Sequence, residues 1–344
     1  MRVLVAMSGG VDSSVAAALL RDEGHAVVGA TLKLWGGASD SGCCSVADVE
    51  DARRVAQQLG IDHHVFNFTE DFEARVVGPY ADAHAAGRTP NPCIECNRHL
   101  KFDRLLQRAV RLGFDAVATG HHARVVPDGG RWHLRRGADA AKDQSYVLSM
   151  LGQEQLARVL LPVGELTKAD VRARAAALGL RTAAKPDSQD VCFISRGGGR
   201  RAFLAPRIPL RPGRVVDAAT GEEVGTVPAV ELVTVGQRRG LGPGDGVRRY
   251  ALSVDVASAT VVAGTAADAC ADEVVLDASS VSWVDRPVAP GTRVLAQASA
   301  HGAAAPGVFE GAAVRWEAPQ RRVAPGQTVA LYDGDRVLGA ATAR

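Results

Sequence analysis

Between Arg2 and Gly120, short apolar runs of strand length alternate with stretches whose apolar residues recur at helical spacing. RVLVAM (2–7) leads to SSVAAALLRDEG (13–24), AVVGATLKL (26–34), VADVEDARRVAQQLG (46–60), HHVFNF (63–68) and later DAVATG (115–120). This β-α-β-α order is satisfied by a parallel sheet with helices on its faces, so an α/β domain is expected first. Further helices are predicted from Gln153 to Gly179, broken at Pro162 and Gly164 and restarted where Thr167 caps VRARAAALG. Gly197–Arg201 reads as a basic, glycine-rich loop. Beyond about Ala205 the helical period gives way to β-branched runs between turn residues, as in GRVVDAATGEEVGTV and YALSVDVASATVVAG. A second set of strands follows TAADACAD (265–272), which predicts domains over 1–205, 206–272 and 273–344. Ala300–Ala305 reads as a loop.

Lys plus Arg total 40 against 38 for Asp plus Glu, a balance of +2 that excludes a protein whose whole surface coats nucleic acid. Any RNA contact is therefore a local patch. The six cysteines are too sparse and irregular for a secreted disulfide framework, and reduced thiols in the cytoplasm are expected. Neither a signal-peptide core nor an apolar run of bilayer length is present in the sequence, so no membrane association is expected.

SGGVDSS (8–14) lies between the first strand and the first helix. Glycines there let backbone N–H groups approach phosphate oxygens, the serines add hydroxyl donors, and the helix start adds partial positive charge. The segment lacks the lysine of GxxxxGK[ST] and does not fit GxGxxG. It resembles the PP-loop of ATP pyrophosphatases, which cleave between the α and β phosphates and adenylate their substrate. By that resemblance Asp12 helps to hold Mg²⁺ against the phosphates of ATP. The plain alternative is a serine-capped helix after a tight turn.

An adenylated carbonyl must next be attacked by a nucleophile, and thiolates or persulfides serve near neutral pH. Cys96, in GRTPNPCIECNRHLKF (87–102), and Cys192, in KPDSQDVCFI (185–194), are the candidates. Pro90 and Pro92 bracket Asn91 and predict an extended loop before Cys96, with Arg98, His99 and Lys101 near enough in sequence to favour a thiolate. A structural zinc site is the alternative, built on the Cys93-x-x-Cys96 pair with Cys43 and Cys44; adjacent cysteines suit a tetrahedral cage poorly and no second CxxC exists. For Cys192 the alternative is an inert buried thiol, because VCFI is apolar.

RTPNPCIECNRHLKF, ATGHHAR (118–124), KDQSY (142–146) and KPDSQDVCFI, in this order, resemble the bacterial tRNA-specific 2-thiouridylase family. TVGQRRGLG (234–242), WVDR (283–286) and APQRRVAPGQTVALYDGDRVLG (318–339) extend the resemblance from Val3 to about Ala341. It implies a PP-loop sheet domain with a helical tRNA-contacting extension, followed by two small all-β domains, the last a β-barrel. It implies ATP binding at Ala6, Met7, Ser8, Gly9, Gly10, Val11, Asp12, Ser13, Leu32 and Gly120. Asn91, Pro92 and Cys93 would meet the target base, and Lys142, Asp143 and Gln144 would contact tRNA. Cys96 would be the nucleophile and Cys192 the persulfide carrier, joined in a transient disulfide. The implied reaction is ATP-dependent 2-thiolation of the wobble uridine (position 34) in the tRNAs for Lys, Glu and Gln. ATP and Mg²⁺ would be required, a cysteine desulfurase or relay protein would supply the sulfur, and the enzyme would work as a monomer.

Two departures stand out. Many members carry aspartate where this chain has Cys93, and a thiol cannot take over acid–base duty equally. Where relatives offer an Arg-Tyr pair to RNA, this chain reads QASAH (297–301). Arg238, Arg239, Arg248 and Arg249 are then the basic residues to weigh, either as phosphate contacts or as a solvated face. His121 and His122 invite a metal reading, but neighbouring loop histidines tend to point apart. Trp132, Trp283 and Trp316 sit in apolar strand patterns and read as packing residues.

Overall fold

The computed structural model describes residues 1–35, 45–187, 191–194, 197–241 and 247–344. In its first part the strands are β1 (Arg2–Ala6), β2 (Ala26–Lys33), β3 (Asp62–Asn67), β4 (Ala116–Ala118), β5 (Ala123–Asp128), β6 (Arg131–Arg136) and β7 (Val159–Leu160). Five of them form a parallel sheet in the order β3-β2-β1-β4-β7, with Val3 paired to Val27 on one side and to Ala116 on the other. The chain therefore moves outward from β1 to β3 and then crosses to β4, so the order reverses beside β1. At such a point the loops leaving the carboxyl ends of the strands open a crevice.

Helices α1 (Val11–Asp22) and α2 (Val46–Leu59) cover one face, where Val15, Ala16, Val55 and Ala56 are buried against Val3 and Val5. Small residues on α1 let it lie close to the sheet. On the other face Leu4, Leu32 and Val117 meet Phe72, Tyr80, Leu100 and Leu105 from the helical segments over 69–85 and 92–111.

The all-β expectation for the second half holds. Strands β8 (Gly213–Asp217), β9 (Glu223–Val227), β10 (Tyr250–Asp255) and β11 (Thr260–Gly264) form a four-stranded sheet. Then β12 (Cys270–Trp283), β13 (Thr292–Gln297), β14 (Ala305–Phe309), β15 (Ala313–Arg321), β16 (Thr328–Asp333) and β17 (Arg336–Ala343) close into a barrel through the β12–β17 pairing. Trp283 packs edge-on against Phe309 inside it, and Trp316 is buried.

Two sequence expectations are corrected. The 153–179 region is not helical throughout, since β7 runs through Val159–Leu160 on the sheet edge. Gly199–Leu204 is a helix, because Phe203 and Leu204 are buried in the core under it. The β5–β6 hairpin extends the barrel's sheet through the pairing of Arg135 with Arg336 of β17, with Arg136 stacked 3.9 Å over the Tyr332 ring. No helix among the described residues is long and apolar enough to cross a membrane.

Candidate functional site

The turn from β1 into α1 is shaped by close contacts rather than by a side-chain cap. Gly9 takes φ +72°, and a Cβ there would lie 2.3 Å from the Asp48 carbonyl oxygen. Gly10 precedes the helix in extended conformation with no side-chain cap, so the first N–H groups of α1 are available to an anion. Ser13 Oγ accepts from Ser8 N at 3.2 Å and donates to Gly10 O, also at 3.2 Å. The plain reading of a serine-capped helix is therefore not what this turn is. Met7, Val11 and Ser13 are buried, so their expected nucleotide contacts would be made through the main chain. Gly120, after β4, crosses directly over the helix start, where a Cβ would come within 2.5 Å of Ser13 N.

Asp12 is the carboxylate of this turn. Lys168 Nζ donates to both its oxygens at 2.7 Å, and His122 Nε2 lies 3.0 Å from Oδ1. Burial works against its ionisation, but the hydrogen bonds from His122 and Lys168 prevail and hold its pKa below the usual carboxylate value. Lys168 also pairs with Asp187 at 2.9 Å, and Asp187 is shared with Lys142 at 2.8 Å and Arg172 at 2.9 Å. Despite the opposing effect of burial, those two lysines bring Asp187 down to about 2. Lys185 forms a second node, donating to Gly9 O at 3.0 Å, Asp48 at 2.6 Å and Asp51 at 2.8 Å.

The 142–144 segment is tied into the same network. Gln144 and His122 exchange two hydrogen bonds, Gln144 N to His122 O at 2.8 Å and His122 N to Gln144 Oε1 at 2.9 Å. The Asp143 carboxylate, 6% exposed, accepts from Arg136, Gly137 N and Ser145, so its side chain organises the loop. His121 and His122 do point apart: His121 bonds Thr119 at 2.7 Å, while His122 leaves Nδ1 buried with no hydrogen bond. The carboxylate that His122 does find, Asp12, lies 110 positions away, beyond the reach of a local sequence reading.

The cysteines occupy different ground. The extended loop expected ahead of Cys96 ends at Asn91, and Cys93 and Cys96 lie on a helix that begins at Pro92. Proline is preorganised for a first helical position, and Asn91 Oδ1 caps the helix by accepting from Cys93 N at 3.0 Å. Cys93 is exposed, whereas Cys96 is buried. Cys96 belongs to the apolar cluster of Leu32, Phe72, Tyr80 and Phe193, and Cys192 packs against that same cluster. Phe193 meets Phe72 and Tyr80 edge-on at 5.6 and 5.5 Å. Two cysteines 96 positions apart in sequence thus share one apolar wall with Leu32.

Cys43 and Cys44, which the zinc alternative requires, lie outside the described residues, and among those described no three metal-ligating side chains converge. Of the distal residues, Arg238, Arg239 and Arg248 are exposed, while Arg249 is half-buried and lies 3.9 Å from Asp217. Gln297 of QASAH is buried, accepting from Arg136 at 2.9 Å and donating to Ser299 O at 2.9 Å. Sequence reasoning missed Lys168, Lys185, Asp187, Asp48 and His122 as parts of the site. The signal for Lys185 and Asp187 lies in KPDSQDVCFI, whose first and third residues they are.

Comparison with known proteins matches three segments of the chain. Residues 1–196 match the model described as tRNA methyl transferase HUP domain, 201–265 a tRNA methyl transferase PRC-barrel domain and 276–343 an aminomethyltransferase beta-barrel domain. A protein of Roseiflexus castenholzii named tRNA-specific 2-thiouridylase MnmA is 46% identical over 98% of this chain and 98% of its own. Its namesakes in Mycolicibacterium paratuberculosis and Heliobacterium modesticaldum are 49% and 45% identical, each over 99% of this chain and over 98% and 91% of their own.

Proposed function

The chain belongs to the tRNA-specific 2-thiouridylase family, and from that premise we propose that it uses ATP to replace the C2 oxygen of the wobble uridine of tRNA with sulfur. One observation carries the reading: a charged cradle at the β1–α1 turn and a pair of cysteines on one apolar wall are built onto the same parallel sheet. The cradle suits the phosphates of ATP, and the wall suits a sulfur transfer that water would spoil.

In this mechanism the uridine O2 attacks the α-phosphorus, the bond to the β-phosphate oxygen breaks, and pyrophosphate leaves. Main-chain N–H groups at Gly9, Gly10 and the start of α1 bind phosphate oxygens, and Gly120 keeps the facing loop close. Asp12 is the carboxylate that would hold Mg²⁺ arriving with ATP, and the ion would neutralise phosphate charge. The terminal sulfur of a Cys192 persulfide attacks C2 and AMP departs with the former O2. The Cys96 thiolate attacks the Cys192 Sγ, which breaks the S–S bond, leaves sulfur on the base and forms a Cys96–Cys192 disulfide. An external thiol reduces that disulfide, and a cysteine desulfurase or relay protein reloads Cys192.

Asn91, Pro92 and Cys93 flank the base, and Lys142 meets RNA phosphate. The substrates are the tRNAs for Lys, Glu and Gln, in the cytoplasm. The reading predicts that incubation with ATP, sulfide or a desulfurase, and unmodified tRNA yields 2-thiouridine by nucleoside mass analysis. Unchanged uridine with either sulfur source would refute it.

A further inference from the structure

A polyphosphate needs cations, and SGGVDSS contains none. The fold brings two lysines to the turn from far along the chain, and they hold different things. Lys185 spends its three donors on Gly9 O, Asp48 and Asp51, which fixes the shape of the turn against α2. Lys168 instead faces the first turn of α1 by way of Asp12, with Asp187 on its other side.

The placement of Lys168 is over-determined. It is the first residue of the Lys168–Ala177 helix, inside the Thr167–Asp170 capping box, and its own N–H donates to Asp139 at 2.9 Å. Its side chain is only 12% exposed. A compact ammonium held between two carboxylates, beside helix N–H groups without a cap, is a counter-charge waiting for an anion.

We propose that Lys168 is the phosphate-recognising cation of this site and that Asp187 is its positioning residue; this deepens the nucleotide reading above and rests on it. The arriving phosphates draw the ammonium from Asp12, while Asp187 keeps it at the turn instead of letting it swing into solvent. Lys185 keeps its own carboxylates throughout.

Calorimetric titration of the full chain with ATP and with adenosine tests this. Lys168→Met should weaken ATP about tenfold or more, the worth of a charge-assisted hydrogen bond, and leave adenosine binding unchanged, which also shows the variant is folded. Loss of Lys168 also takes one counter-charge from Asp12 and Asp187, leaving His122 on the first and Lys142 and Arg172 on the second, and the added negative charge would weaken ATP without any contact. Combining Lys168→Met with Asp187→Asn removes one charge of each sign: a direct contact predicts that the ATP defect persists. Recovery of wild-type ATP affinity in that double variant, or equal losses for ATP and adenosine in the single one, overturns the proposal. If the wild-type chain bound neither ligand, it would be the nucleotide reading itself that fell.

Discussion

Around Asp12 the site is made of charge, with Lys168, Lys142, Arg172 and Lys185 laced between Asp187, Asp48 and Asp51. Around Cys96 it is made of hydrocarbon and rings, with Phe72, Tyr80, Leu100, Phe193 and Phe203 in the same buried cluster as the thiol. The difference shows two kinds of preorganisation on one sheet. Shared ion pairs contribute little net stability, because desolvation offsets their attraction, but they place cations where a polyanion will arrive. The apolar end stabilises the domain and keeps water from the reacting sulfur.

If that division is right, the largest stability effect comes from the apolar end. Phe72 is fully buried, so Phe72→Ala should cost roughly 3–5 kcal/mol in denaturant unfolding. A cost under about 1 kcal/mol would mean the wall is not packed as described.

Acid should sharpen the contrast. His84 packs edge-on against Tyr80 at 4.6 Å, and burial lowers its pKa to about 4, with Arg200 adding to the shift and a hydrogen bond to the Glu231 carbonyl opposing it. Because the folded value lies below the ordinary 6.5, the unfolded chain binds more protons between them. Stability is therefore complete above about 6.5 and falls as pH drops toward 4, with His63 acting in the same direction. Asp12 and Asp187 are displaced below 3.8, so their contribution survives this window and is lost only at more acid pH. His84→Gln should reduce the stability lost between about pH 7 and 4.5 by about 2 kcal/mol. An unchanged pH profile would show that the imidazole is not held neutral.

At the charged end the expected stability effect is the smallest. Lys185 is 28% exposed, and Arg181 remains 3.3 Å from Asp51 when it is removed. Lys185→Met should cost about 1–2 kcal/mol in unfolding while impairing nucleotide binding more severely. A large stability loss with ATP binding intact would reverse the roles assigned to the two ends.

How much of this was legible beforehand obeys the same division. The parallel sheet could be anticipated because RVLVAM and AVVGATLKL carry their strand pattern locally, and SGGVDSS announced a phosphate turn by composition alone, but the strand order could not. The Lys168–Asp12 and Lys168–Asp187 pairs span 156 and 19 positions, and no local pattern encodes such meetings. The Pro92 helix start was misjudged because Pro90 and Pro92 argue for extension at the residues before them, while proline at a first helical position favours a helix in the residues after it. Of the β5–β6 hairpin the sequence showed only the strand pattern at Trp132, and its seat beside β17 depends on Arg136, Tyr332 and Gln297 meeting across the fold.

The separation of activation from sulfur delivery is tested most directly by following two products in one reaction of Cys192→Ser with ATP, a sulfur donor and unmodified tRNA. The charged end predicts tRNA-dependent pyrophosphate release as in the wild type, and the apolar end predicts no 2-thiouridine. Thiouridine formed at the wild-type rate, or pyrophosphate release lost together with it, would contradict the account.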